Sequence, residues 1–200
     1  YPRVGNASDS HLRLKKPGGL ILSGGGGSVL NAYRWMHELL TGDAAKTGGD
    51  IVVIKATKED TYSAEIMDAA PFNSVQTICV PEDATPEELA AAARYVEKAE
   101  GVFFAGGQQQ RYVNWKGSTL MNAVQKVYDR GGVVGGVSAG LAIMGEYVFE
   151  ARDVSSDELT TDAVVKNPAN PKLTFATNVF HFGPLRNVMT DTHFSRPARN

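Results

Sequence analysis

Val133-Val134-Gly135-Gly136-Val137-Ser138-Ala139-Gly140 decides how this chain is read. The first half is a short apolar run with no alternation, the pattern of a strand buried on both faces. The second half is a G-x-S-x-G sequence running into a stretch that can be helical. A strand that turns sharply through small residues into a helix exposes the intervening serine at the carboxyl edge of a sheet, the arrangement of a nucleophile elbow. The backbone N–H groups that follow, led by that of Ala139, then point where an oxyanion would develop. The same five residues also fit a plain glycine-rich turn, so their surroundings must carry the reading.

Working outward, four more apolar runs precede this one: residues 19–23, 51–54, 75–80 and 101–105. Helical patterns separate them. Ser28 is placed to cap a helix carrying Val29, Leu30, Tyr33, Trp35, Met36, Leu39 and Leu40 on its apolar side. A short helix is expected over residues 62–69. Thr85-Pro86-Glu87-Glu88 is an N-cap, a proline at the first helical position and acids in the first turn. A further helix covers residues 117–130 and is closed by Gly131-Gly132. Buried strands alternating with helices define an α/β fold with a parallel sheet covered on both faces. Residues 145–172 break the rhythm and read as an inserted loop or hairpin. Residues 1–17, polar and aperiodic up to Pro17, read as a flexible arm ahead of one domain over 18–200.

Composition bounds the function. The chain has 200 residues and a formal net charge of −2 from 20 basic and 22 acidic side chains, so no bulk field draws it to nucleic acid or a membrane surface. Hydrophobic residues make up 42%, enough for a sizeable core. The single Cys79 excludes an internal disulfide and a cysteine-based zinc site. No apolar run is long enough for a membrane-spanning helix.

A serine nucleophile needs a base, and the sequence offers His11, His37, His181 and His193. His11 lies in the arm. His37 sits within the first helix, where a partly buried or surface role is expected. His181 stands in the apolar Val179-Phe180-His181-Phe182, the setting of a packed histidine. His193 stands in the polar Asp191-Thr192-His193-Phe194-Ser195-Arg196, which favours it as the base. Gly106-Gly107-Gln108-Gln109 follows the fourth run, at the sheet edge where α/β proteins bind ligands. Gly24-Gly25-Gly26-Gly27 lacks a dinucleotide register, because Val29 takes the last glycine position and strand two ends in Lys55. A backbone nest for an anion suits it better. Arg196 and Arg199 could clamp a carboxylate, or belong to a solvated tail.

Phe104-Ala105-Gly106-Gly107-Gln108-Gln109, then residues 136–140, then Asp191-Thr192-His193-Phe194-Ser195 together resemble the cyanophycinase-like branch of the S51 serine peptidases. The resemblance implies a three-layer α/β sandwich with a mainly parallel sheet, flavodoxin-like or like class I glutamine amidotransferases. It implies Ser138 as nucleophile, His193 as base and Gln109 as a substrate contact; backbone N–H groups of Ala139 and of the Gly106-Gly107 or Gly25-Gly26 loops are expected to hold the oxyanion, with Gly107 the candidate beside Ala139. It further implies hydrolysis of aspartyl or isoaspartyl peptide bonds. Cyanophycinases release β-Asp-Arg dipeptides, and a sister branch acts on small Asp-X dipeptides. No metal or organic cofactor is expected.

The chain departs from the family at Gln108, where the usual residue is Asp, and at Pro197, which interrupts the arginine pattern around Arg196 and Arg199. Both fall where an arginyl product would be read. The acid that orients the base is expected beyond Asn200, with Asp157 or Glu158 as substitutes within the chain and Asp191 pointing elsewhere. From this we expect a companion C-terminal fragment of one precursor as a second chain, alongside an Asp-containing peptide substrate. A homodimer is compatible. The start at Tyr1 fits a secreted or periplasmic protein but leaves the compartment open. The rival readings are an α/β-hydrolase-type esterase and a binding module that has lost catalysis.

Overall fold

The alternation of strands and helices is realised in the computed structural model, which describes residues 3–27, 30–57, 62–154 and 159–194. In chain order the elements are β1 (Val4–Gly5), β2 (Gly19–Ser23), α1 (Leu30–Thr41), β3 (Asp50–Lys55), α2 (Ser63–Ala69), β4 (Ser74–Cys79), α3 (Pro86–Val96), β5 (Gly101–Phe104), α4 (Gln109–Asn114), α5 (Thr119–Asp129), β6 (Val133–Val137), α6 (Ala139–Ala142), β7 (Tyr147–Phe149), α7 (Thr161–Lys166) and β8 (Phe175–Thr177). A 3-10 turn at Gly183–Leu185 follows. Among the described residues the main sheet runs β1-β4-β3-β5-β6-β2, and its five long strands are parallel.

Alternate side chains of each central strand serve opposite layers, as a two-residue period requires. Val52, Ile54, Val102, Phe104 and Val134 pack toward α3 and α5. Ile51, Val53, Phe103 and Val133 pack toward α1 and α2 on the other face. All six residues of β3 are buried, which explains its unbroken apolar run. The expected N-cap at α3 is a full capping box: the Glu88 N–H donates to Thr85 Oγ1 at 3.2 Å, and the Thr85 N–H donates to Glu88 Oε2 at 2.8 Å. Ser28 lies outside the described residues.

Several expectations change. Residues 109–114 coil into α4 directly after the Gly106-Gly107 turn. Insert residues Tyr147–Phe149 pair antiparallel with Phe175–Thr177, with α7 between them. The residues read as an arm contribute β1, which pairs antiparallel with β4 at the sheet edge. Ser10 then ties the segment to the amino ends of the strands: its N–H donates to Asp50 Oδ2 at 2.9 Å and its hydroxyl to Glu100 Oε2 at 2.7 Å. Asp50 also accepts from Asn73 Nδ2 at 2.7 Å and Ser74 Oγ at 2.5 Å, so this buried carboxylate is well satisfied. His37 is 1% exposed and stands edge-on to Phe72, more deeply packed than its helix position suggested.

At the carboxyl ends of the strands, small residues let backbones touch. A Cβ on Gly140 would land on the Phe104 carbonyl, and one on Gly136 on the Gly140 carbonyl. These two glycines allow α6 to start flush against the end of β5. Gly140→Ala is therefore expected to overpack this junction at a cost of about 2 kcal/mol. Calorimetry should register a Tm lower by roughly 4–8 °C.

Candidate active site

Ser138 follows β6 directly, with φ 53° and ψ −114°. A non-glycine residue in that region is strained by about 1–3 kcal/mol and persists only where neighbours impose it. Here the Ser138 N–H donates to the Ser23 carbonyl at 3.0 Å, extending the β2–β6 ladder by one bond, and its carbonyl accepts from Ala142 N–H at 2.9 Å. Its hydroxyl occupies an N-cap position yet makes no capping bond. It turns outward and meets His193 Nε2 at 2.7 Å.

His193 comes from the end of the described chain and is held by the neighbouring carbonyl, its N–H donating to Gly24 O at 2.9 Å. It too has a positive φ, 55°. Its ring lies on the backbone of Gly25, where an added Cβ would stand 2.5 Å from Cε1 and 2.8 Å from Nε2. Gly25, at φ +98°, serves as the floor for the imidazole. Gly25, Gly26 and Gly27 line the cavity that also holds Ser138.

Gly106 borders the same cavity, its Cβ position 3.5 Å from Ser138 Cβ, while Gly107 faces the adjoining larger cleft. The Ala139 N–H heads α6, beside the nucleophile. Gln108 is exposed at the start of α4 and lines the larger cleft. Gln109 lines it too, but spends its amide N–H on the Phe149 carbonyl at 3.3 Å, tying α4 to the β7–β8 hairpin. Asp191 accepts its neighbour's Thr192 N–H at 2.7 Å. His181, expected to be packed, is exposed, and its backbone pairs with Gln125 on α5. Arg196, Arg199, Asp157 and Glu158 lie outside the described residues.

Two concavities meet here. The smaller, about 340 Å³, holds Ser138 and His193 together with Gly25, Tyr33, Tyr62 and Glu65. The larger, about 820 Å³, is mostly apolar, with Phe149, Val164, Val165, Leu173 and Phe175 on its walls. Glu65, Tyr33 and Tyr62 were not singled out from sequence. The signal was slight: Tyr62 and Glu65 stand three residues apart, as neighbours on one helix face do. Burial and the adjacent Glu65 carboxylate, which accepts a hydrogen bond from it, push the Tyr33 phenol well above its usual range. Tyr33 therefore serves as a hydrogen-bond donor at any physiological pH.

A strained serine bonded to an imidazole at the carboxyl edge of a parallel sheet defines a serine hydrolase type of site. The family model of peptidase family S51 matches residues 20–181, and the chain belongs to that family. No curated protein matches it in sequence. Among solved structures, it is similar to a peptidase from an acI-B1 actinobacterium, with 16% identity and a TM-score of 0.53 over 72% of this chain and 62% of that one. A peptidase E-like protein from Listeria monocytogenes EGD-e aligns with 16% identity and a TM-score of 0.49 over 82% of this chain and 76% of that one. The chain thus spans less than two thirds of the actinobacterial peptidase.

Gly25→Ala should displace the imidazole without touching the serine. A misplacement of that kind is expected to slow labelling of Ser138 by a serine-directed phosphonate by about 100-fold. Intact-protein mass spectrometry over time reads the rate.

Proposed function

We propose that this protein is a serine peptidase that hydrolyses aspartyl or isoaspartyl peptide bonds through an acyl-enzyme. The observation that carries the reading is the 2.7 Å contact between Ser138 Oγ and His193 Nε2, at a strained elbow in a member of family S51. His193 takes the hydroxyl proton as Ser138 Oγ attacks the scissile carbonyl. The Ala139 N–H, with that of Gly107, receives the negative charge on the carbonyl oxygen, while the Gly106 N–H is directed to the Tyr62 hydroxyl at 3.5 Å. His193 then gives its proton to the departing amine, and the C–N bond breaks. Water, deprotonated by the same imidazole, releases the acid and restores the serine.

Support for aspartate as the recognised residue comes from the family resemblance, in which Gln109 matches the glutamine after Gly106-Gly107, and from the arginines at 196 and 199. An amide donor and a guanidinium fork both suit a carboxylate. Gln108, standing in place of an acid, removes a negative charge from the edge of the larger cleft.

Ser138→Ala is expected to fold normally and to lose at least about 1,000-fold in kcat. The check is turnover of α- and β-linked Asp-X peptides beside p-nitrophenyl esters, with circular dichroism on the variant. Retained peptide hydrolysis would refute Ser138 as nucleophile, and ester cleavage without peptide cleavage would refute the peptidase reading.

A further inference from the structure

Glu65 is an acid without an assigned task in the cavity that holds Ser138 and His193. It sits in the first turn of α2, on the layer opposite α3 and α5. One side of its carboxylate takes the Tyr33 phenol hydrogen. The other oxygen, Oε1, is shielded from solvent and has no hydrogen-bond partner among the described residues. Nor does Glu65 enter an ion pair among them. Lys55 Nζ is directed over the Tyr62 ring, 5.9 Å from the centroid.

A carboxylate withdrawn from water with half its acceptor capacity unused is costly by itself and strongly complemented by a cation. The walls beside it suit one. Tyr62 also faces the cavity, and an aromatic ring attracts positive charge. Tyr33 cannot supply a competing positive charge, and it fixes the carboxylate in place. Resting on the peptidase reading above, we infer that Glu65 is a specificity-determining residue that binds a positively charged group of the substrate. The group is an alkylammonium or guanidinium: the free α-amine of an N-terminal residue, or a basic side chain next to the scissile bond. The structure thus divides recognition between a cation-binding cavity around the Ser–His pair and the mostly apolar cleft beyond Gly107.

The test compares wild type with Glu65→Gln, which keeps the Tyr33 hydrogen bond and removes the charge. Matched substrates are Asp-Leu, N-acetyl-Asp-Leu and Asp-Arg. Loss of a charge-assisted hydrogen bond is expected to erase a preference of roughly 10- to 100-fold for the cationic member, through KM rather than kcat. Collapse of the Asp-Leu to N-acetyl-Asp-Leu ratio assigns the α-amine, and collapse of the Asp-Arg to Asp-Leu ratio assigns the side chain. Ratios unchanged by the substitution overturn the inference. An equal fall in kcat on all three also overturns it, because that is the mark of a residue orienting the imidazole. Binding of an aminoalkyl phosphonate diester and its N-acetyl form to Ser138→Ala, with and without Glu65→Gln, is measured by calorimetry. That readout needs no turnover: a preference for the amine that depends on Glu65 upholds the inference even if no aspartyl peptide is cleaved, and equal binding rejects it.

Discussion

Two successive carbonyls at the end of β2 organise the candidate active site. Ser23 O accepts from the Ser138 N–H and Gly24 O from the His193 N–H. The parallel register that pairs Ser23 with Val137 therefore sets where Ser138 stands, and the next peptide sets where the His193 imidazole stands. Both groups refer to one edge strand. A shift in β2 moves them together, and this keeps the 2.7 Å contact. Backbone anchoring of this kind supplies the preorganisation that side-chain packing alone gives less rigidly.

Close approach of backbones is the second requirement, and it explains where the glycines fall. Gly136 and Gly140 let α6 begin against β5, so the chain can reverse within a few residues and hold Ser138 in a conformation that would otherwise relax. Gly25 makes room for the imidazole ring. The same glycine-rich segments leave little side-chain bulk around the serine, and the room they leave becomes the cavity. Its acidic wall, Glu65, comes from the first turn of α2. The larger cleft owes its walls to the β7–β8 hairpin and α7, which lie outside the main sheet. The smaller concavity contains Ser138 and His193, and the larger one borders it.

Local sequence determined the layer architecture, the elbow at Ser138 and the α3 cap, because each depends on residues close in the chain: the apolar runs, the 136–140 turn and the Thr85–Glu88 box. The polar setting of His193 also singled out the imidazole that stands 2.7 Å from Ser138 Oγ, although the burial inferred for His181 failed because its ring turns to solvent. Only the tertiary structure decided the rest. Gly25 faces His193, and Glu65 and Tyr33 face the cavity, because separate crossovers of the parallel sheet return their loops to one edge. The role of residues 3–17 was hidden for the same reason: a polar segment with no periodicity gains its order from Asp50 and Glu100, acids far along the chain whose burial is possible only once the strands are side by side.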